Sequence, residues 1–586
     1  MKASSQMDTD LRLESTLWIR SRRYRAVLTG WHFKWTEVDK KNRNKKTIQV
    51  PVSEVVGVEE GRVLILPHKS VEDTDKDFTV FYIKRCSRVG SSGVLWRLGQ
   101  TQFTCPSRAL RDQWIKHLQT ALKTHSPLRP NRLLVFINPF GGKKKGHHIY
   151  HSIVAPLFEL AGISSHVIVT HRANQARDYL LKKDLTGFDG VVCVGGDGMF
   201  SEILHGLIGR TQQEANLCEN DPTVSLQPCP LHVGIIPAGS TDCVCYATVG
   251  VIDPLTSALH IIIGDSQPLD VSAVHHPSSP VHYSVSLVGY GFYGDVLALS
   301  EKHRWMGPLR YDYSGAMVYL SNRSYVGIVQ YIPADPLLSS PRDKTRCLAG
   351  CGVCSRSTER LFPLSADSAS LCSSRLNHSD PEGEWVSVKG RFKSVSLTCM
   401  SSSCPKSPLG LSPSAHLADG TGDLILVRNT DPLSFLKFLH RHTNSEDQFD
   451  LPFVEVHRVK AFRFFLSSED DEGYKEVGSS SAEAEKGTKV CSANPVSTSG
   501  SQQHLVENDF EKKQKTPTSL LCGLCCRKSP AVSVWNCDGE ILPFTEIQCR
   551  VHGQLVRLYA RGIEDETAIE DGTEDREASE RKCILN

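Results

Sequence analysis

The chain has 586 residues, 67 Lys and Arg against 65 Asp and Glu, and a formal net charge of +2, which excludes nucleic-acid binding through bulk charge. Its length predicts two or three domains, and 40% apolar residues suffice for ordinary cores. The opening Met1-Lys2-Ala3-Ser4-Ser5 has no apolar signal core and no run approaches the ~18 apolar residues of a membrane span, so we expect a cytoplasmic chain whose 20 cysteines are thiols or metal ligands more than disulfides.

Short apolar runs at 15–20, 24–28, 31–35, 49–52, 62–66, 78–83 and 102–105 predict about seven strands. A helix follows over 107–122. Leu110, Trp114, Ile115, Leu118, Ala121 and Leu122 form its apolar stripe, and Ser107 is its N-cap. Seven strands closed by one helix with a central Trp resemble a pleckstrin homology domain, over residues 1–125. Lys40, Lys41, Arg43, Lys45 and Lys46 fall between candidate strands, where such domains meet phosphoinositide head groups. A solvated basic loop is the other reading. Residues 126–130, Ser-Pro-Leu-Arg-Pro, read as a linker.

A buried strand over 133–138 runs into Asn138-Pro139-Phe140-Gly141-Gly142-Lys143-Lys144-Lys145-Gly146, followed by a helix from 147 to 160. This is a glycine-rich phosphate loop without the Gly-Lys-Ser/Thr ending of a nucleotide-triphosphatase P-loop. The backbone amides of Gly141 and Gly142 are its expected anion donors, ahead of the lysines. A strand over 167–170 ends in Thr170. The strand over 191–195 breaks into Gly195-Gly196-Asp197-Gly198, with helix expected from Ser201. Asp197 is the only carboxylate in that turn. Beside a phosphate it is unfavourable unless it holds a metal or accepts a proton, so we read it as a general base for phosphoryl transfer. The strand over 232–237 leads into Ala238-Gly239-Ser240-Thr241-Asp242. Three strands that end in glycine turns converge at one edge of a parallel sheet. Residues 131–265 are therefore expected to form a nucleotide-binding α/β lobe.

These three turns resemble the successive motifs of the diacylglycerol kinase catalytic family, which includes the sphingosine kinases. The stretches 195–211, 239–246 and 283–295 are most similar to its ceramide kinase branch, whose members also begin with a pleckstrin homology domain. The resemblance implies that Asp197 takes the proton of a lipid hydroxyl. It implies that Asn138, Pro139, Phe140, Gly141, Gly142, Thr170, Glu202, Gly239, Ser240 and Thr241 hold ATP, and that Gly195, Gly196, Asp197 and Gly198 border the acceptor. Arg304 and Arg310, in the segment 300–310, would approach the ATP phosphates. Asp538, Gly539 and Glu540, in the family's last motif, would return to the nucleotide. The family usually has Asn where this chain has Asp242. Sphingosine kinases place an Asp, partner of the substrate amine, at the position of Leu297. Ceramide's nitrogen is an uncharged amide, so a buried unpaired carboxylate there would be costly, and Leu297 favours ceramide.

Residues 266–467 and 531–562 are expected to form a mostly β, substrate-side lobe, with strands near 386–388, 394–397 and 423–427 and a Ser- and Cys-rich insert over 335–415. Cys347, Cys351 and Cys354, spaced x3 and x2, suit zinc without an evident fourth ligand; reduced thiols are the alternative. The basic amphipathic segment 433–442 suits either a calmodulin target, which would bring Ca²⁺ regulation, or a core-packed helix. Residues 468–530 are expected to be disordered, with Cys522, Cys525 and Cys526 as thiols open to palmitoylation. Residues 563–586 form an acidic tail. The expected fold is thus a β-rich N-terminal domain, a parallel-sheet α/β lobe and a mostly β lobe. The implied activity is ATP- and Mg²⁺-dependent phosphorylation of ceramide at peripherally contacted Golgi or plasma membranes. A diacylglycerol or broad-specificity kinase and an inactive phosphoinositide-binding adaptor are the alternatives.

Overall fold

The computed structural model describes residues 12–38, 46–61, 74–86, 93–142, 144–307, 309–335, 339–362, 383–467 and 532–565. The strand expected at 62–66, Lys40, Lys41, Arg43, Lys45, Lys143, the segment 468–530 with its three cysteines, and the tail beyond 565 lie outside these residues.

The N-terminal strands form a 7-stranded antiparallel sheet. Ser107 caps the following helix, Arg108–His125, by accepting the Leu110 amide at 3.3 Å. Trp114, from the middle of the apolar stripe, is fully buried. Its ring lies 5.6 Å from Phe33 and 6.3 Å from Phe78, and its indole N–H donates to Ser15 Oγ at 2.8 Å. The strand Val55–Glu60 was not expected. Gly57 interrupts its apolar run because a Cβ there would sit 2.5 Å from the Leu160 carbonyl oxygen. The strand packs directly on the helix Ala155–Leu160 of the next lobe, and a strand glycine marks such a close approach.

Strands Ser164–Val169, Arg132–Ile137, Gly190–Gly195 and His232–Pro237 run parallel in that spatial order. The long strand Ile547–Tyr559 then joins the two expected lobes into one 14-stranded sheet. It pairs parallel with His232–Pro237 through Arg557 and Leu558, and antiparallel with Ser266–His276 and Val454–Leu466. The rest of the second lobe is antiparallel. Its strand Val386–Thr398 lies within the segment read as an insert. Among the described residues no single helix is long and apolar enough to cross a membrane.

The N-terminal sheet is docked on the catalytic lobe through buried charge. Arg85 makes two hydrogen bonds to Glu54, at 2.9 and 2.7 Å, and reaches Glu564 at 3.1 Å. Arg561 binds Glu54 and Asp265, each at 2.6 Å. Trp96 is fully buried between them, stacked on His260 at 3.8 Å, with its indole N–H on Glu564 at 2.7 Å. The segment 126–130 therefore is not a free linker. Arg129 donates to the carbonyls of Val55 and Val56 at 2.6 and 3.1 Å, and burial pushes its pKa down to about 10. Burial alone would raise the Glu54 pKa, but Arg85 and Arg561 outweigh it and hold the carboxyl below its ordinary 4.5. A carboxyl depressed on folding stabilises the folded state above its unfolded pKa, and that stability is lost as pH falls through the folded value. The docking should accordingly weaken below about pH 4.5. Glu54→Ala, which removes the carboxylate shared by Arg85 and Arg561 and leaves them Glu564 and Asp265, should cost about 3 kcal/mol, measured by urea denaturation at neutral pH.

Candidate functional site

The three glycine turns meet. The Asn138 amide donates to Val194 O and the Ala238 amide to Gly195 O, each at 3.0 Å, so the strand ends stop level with one another. A Cβ on Gly239 would lie 2.5 Å from Gly196 Cα and 2.6 Å from Asp242 Oδ1. A Cβ on Gly142, whose φ is +54°, would lie 2.5 Å from the carbonyl carbon of Gly239. Backbone touches backbone at both places, so only glycine fits. Gly239→Ala must push two turns apart. A displacement near 1 Å costs about 10²-fold in rate, and that loss of kcat/KM for ATP is the expected result of steady-state kinetics.

Asn138 closes the first turn on itself: its Oδ1 accepts the amides of Phe140 and Gly141 at 2.9 and 3.1 Å. The Gly141 N–H, expected to face phosphate, is thus directed at its own loop. Phe140 is 63% exposed. The second turn is also shorter than expected. The helix runs Asp197–Glu214, with Gly196 as its N-cap, and begins four residues before Ser201. The Met199 and Phe200 amides both reach Gly196 O. Met199, Phe200, Ile203, Leu204, Leu207 and Ile208 bury one helix face in the core, which fixes the direction in which Asp197 projects.

The Asp197 carboxylate is half-buried. It accepts the amides of Cys243 and Val244 at 3.1 and 3.0 Å, the first residues of the helix Cys243–Val249. Burial raises its pKa above the ordinary aspartate value, while these amide donors pull the other way. A carboxylate has about four lone-pair sites, so two remain for a proton or cation. A second acid stands beside it. Asp242 Oδ1 accepts the Gly239 amide at 2.9 Å, and burial, helped by the charge of Asp197, pushes its pKa up to about 6. Asp242 has φ +50°, a left-handed conformation that Asn and Asp both tolerate. An aspartate where the resemblance leads one to expect Asn is therefore compatible with this backbone and brings a second acid to the turn.

The other candidates lie in several settings. Thr170 is buried at the end of the edge strand, and its hydroxyl donates to Ile137 O at 3.2 Å. Glu202 Oε2 accepts the Ala176 amide at 3.3 Å. Ser240 and Thr241 are exposed. Arg304 is exposed and paired with Glu301, whose other oxygen lies 3.8 Å from Arg310. Arg310 also donates to Tyr311 Oη at 2.8 Å. Asp538 carries a role the sequence did not reveal. Its half-buried carboxylate accepts Ser284 Oγ and the amides of Val285, Ser286 and Leu287 at 2.7–3.1 Å. The loop it gathers touches the site, with Ser286 Oγ 3.5 Å from Cys243 Sγ. Gly539 has φ +90°, and Glu540 is exposed, 3.8 Å from His282.

Three family descriptions match along the chain: ceramide kinase PH domain over residues 13–118, diacylglycerol kinase catalytic domain over 132–274, and ceramide kinase C-terminal domain over 361–572. Human ceramide kinase is 44% identical over 570 residues, covering 94% of this chain and 97% of its own. The chain belongs to the ceramide kinase family. Mouse ceramide kinase is 43% identical, covering 95% and 98% of the two chains, and the rice ceramide kinase is 34% identical, covering 77% and 80%.

In this member of the ceramide kinase family the helix Phe292–Lys302 carries Leu297, the residue from which the sequence reading expects a preference for ceramide over sphingosine. Leu297 is buried there. Asp295, two residues earlier, accepts from Ser533 Oγ at 2.6 Å and from the Tyr325 hydroxyl. Beyond it the helices Leu309–Ser321 and Pro432–Arg441 touch through Tyr319, which donates to Pro432 O at 3.1 Å and stacks on Phe435. Both expose large apolar side chains: Leu309 and Leu320 on the first, Leu433 and Leu436 on the second. Phe435 and Phe438 are buried in the core, the core-packed alternative for the segment read as a calmodulin target.

Proposed function

We propose that this chain transfers the γ-phosphoryl group of Mg²⁺-ATP to the primary hydroxyl of ceramide, giving ceramide 1-phosphate. The observation that carries the proposal is the contact of three glycine turns around Asp197. Nucleotide lies along the turns, and the lipid hydroxyl donates to the free side of the Asp197 carboxylate as the phosphoryl group moves away from ATP. Phosphoryl transfer depends mainly on positioning and charge neutralisation. The base itself contributes about 10²–10⁴-fold, roughly 3–5 kcal/mol. Asp242, beside the base, is the carboxylate that would hold Mg²⁺, which would offset phosphate charge there. Arg304 and Arg310 supply further positive charge. To do so they leave Glu301; Arg304 is exposed, and a pair to such a group is worth only ~0–1 kcal/mol, while Arg310 stands 3.8 Å from the carboxylate.

The exposed apolar side chains of the helices Leu309–Ser321 and Pro432–Arg441 support entry of a lipid from a membrane surface. The N-terminal sheet would meet phosphoinositide head groups, and the chain would sit peripherally on Golgi or plasma membranes. Regulation by Ca²⁺ through calmodulin would fall to the outward face of Pro432–Arg441, since its two phenylalanines are committed to the core. The test is direct. Full-length chain receives Mg²⁺-ATP with ceramide, sphingosine or diacylglycerol in mixed micelles, and labelled products are resolved. Label in ceramide alone is expected. Equal label in all three removes the specificity, and label in none favours the adaptor.

A further inference from the structure

The spacing of Cys347, Cys351 and Cys354 leaves a zinc site one ligand short, and the fold brings a fourth. Among the described residues the three thiols and His416 place one ligand atom each within 4.8 Å of one another. His416 Nδ1 lies 3.3 Å from Cys351 Sγ, and Cys347 Sγ lies 3.6 Å from Cys354 Sγ. Tetrahedral zinc with Zn–S near 2.3 Å and Zn–N near 2.0 Å would set these separations at about 3.5 and about 3.8 Å. The sulfurs are unbonded thiols, and the buried His416 Nε2 has no hydrogen-bond partner. We propose that Cys347, Cys351, Cys354 and His416 form a structural Zn²⁺ site in this chain. Each thiol gives its proton to solvent on binding, and the neutral imidazole completes the tetrahedron with no open position for substrate.

The site holds together chain that has little regular structure of its own. Cys351 stands at the start of the helix Gly352–Leu361, and His416 lies in the irregular stretch between the strands Val386–Thr398 and Gly422–Arg428. That stretch is tied on one side of His416 to the strand Ser266–His276 and on the other to the helix Cys243–Val249. Leu417 O accepts the Asp270 amide at 2.7 Å, and Ser403 O lies 3.5 Å from Cys243 Sγ. Cys243 also lends its backbone N–H to Asp197. The ion would therefore fasten the outer wall against the helix that orients the catalytic carboxylate, without touching a reactant.

The test is metal content of the full-length chain purified under reducing conditions without chelator. One zinc per chain is expected. Stripping the metal and adding Co²⁺ should give the sulfur-to-cobalt charge-transfer absorption of a tetrahedral thiolate site. His416→Ala should release zinc to a chelator about tenfold faster or more, with a lower melting temperature in zinc-loaded protein only. Should Cys354→Ser fail to fold, the metal content and cobalt spectrum of the parent still decide. A parent chain that holds no zinc and gives no thiolate band with Co²⁺, or that carries a Cys347–Cys354 disulfide as purified, overturns the site.

Discussion

Asp197→Asn should lower turnover by about 10²–10⁴-fold, the contribution of a positioned base, while the chain still binds ATP. The hydrogen-bond geometry adds a second consequence. Asp197 accepts two amides, from Cys243 and Val244. An asparagine can accept one with its oxygen, but its NH₂ faces the other donor. Thermal denaturation should therefore show a loss of about 1–3 kcal/mol, the cost of one buried amide left unmet. Single-turnover kinetics with a fluorescent ATP analogue separate the two effects, because nucleotide binding should survive and the chemical step should not. The pH profile carries the sign of the same argument. A protonated Asp197 cannot accept a proton, so kcat/KM falls as pH drops through its pKa. Burial raises that pKa, so the acid limb should lie above the ~4 of an ordinary aspartate. Activity within a few-fold of the parent in Asp197→Asn would remove this residue from the mechanism.

Asp538→Ala should be the most destabilising single change. The carboxylate meets one hydroxyl and three amides from the segment Ser284 to Leu287. Truncation takes the partner from all four donors, of which those on Ser284 and Val285 belong to buried residues, and each buried unmet donor costs about 1–3 kcal/mol. A loss of at least about 4 kcal/mol is expected, against a total of ~5–15 for a folded domain. Urea denaturation gives the number. Activity should fall with it, since this loop contacts Cys243 through Ser286. A loss under 1 kcal/mol would show that the loop holds its shape without Asp538.

The turns were legible in the sequence because backbone contact leaves no choice of residue: Gly142 and Gly196 each meet Gly239. The strands leading to them were legible as short β-branched runs with uniform burial on both faces, as in Gly190–Gly195. What escaped was non-local. The helix that starts at Asp197 is tied there to a partner helix 46 residues on, where local turn chemistry suggested a helix from Ser201. The strand Val55–Glu60 was hidden by Gly57, whose reason is a carbonyl of another lobe. Glu54 and Arg561 lie 507 positions apart, and no local pattern announces that they meet. His416 follows Cys351 by 65 positions, so the ligand spacing stopped at three. Asp538 reads as one acid in a Gly-containing turn, and its four donors come from a segment some 250 residues earlier. Chemistry carried by backbone close to the residue itself is visible in a chain; chemistry completed by distant strands is not.

The central claim is that a lipid hydroxyl is brought to the free side of the Asp197 carboxylate while nucleotide lies along the glycine turns. A crystal structure of the chain with ceramide, Mg²⁺ and a non-hydrolysable ATP analogue measures this directly. The ceramide primary hydroxyl should lie about 2.6–3.2 Å from an Asp197 oxygen, with the γ-phosphate on its opposite side. A hydroxyl bound elsewhere, with Asp197 facing only the Cys243 and Val244 amides, would contradict it.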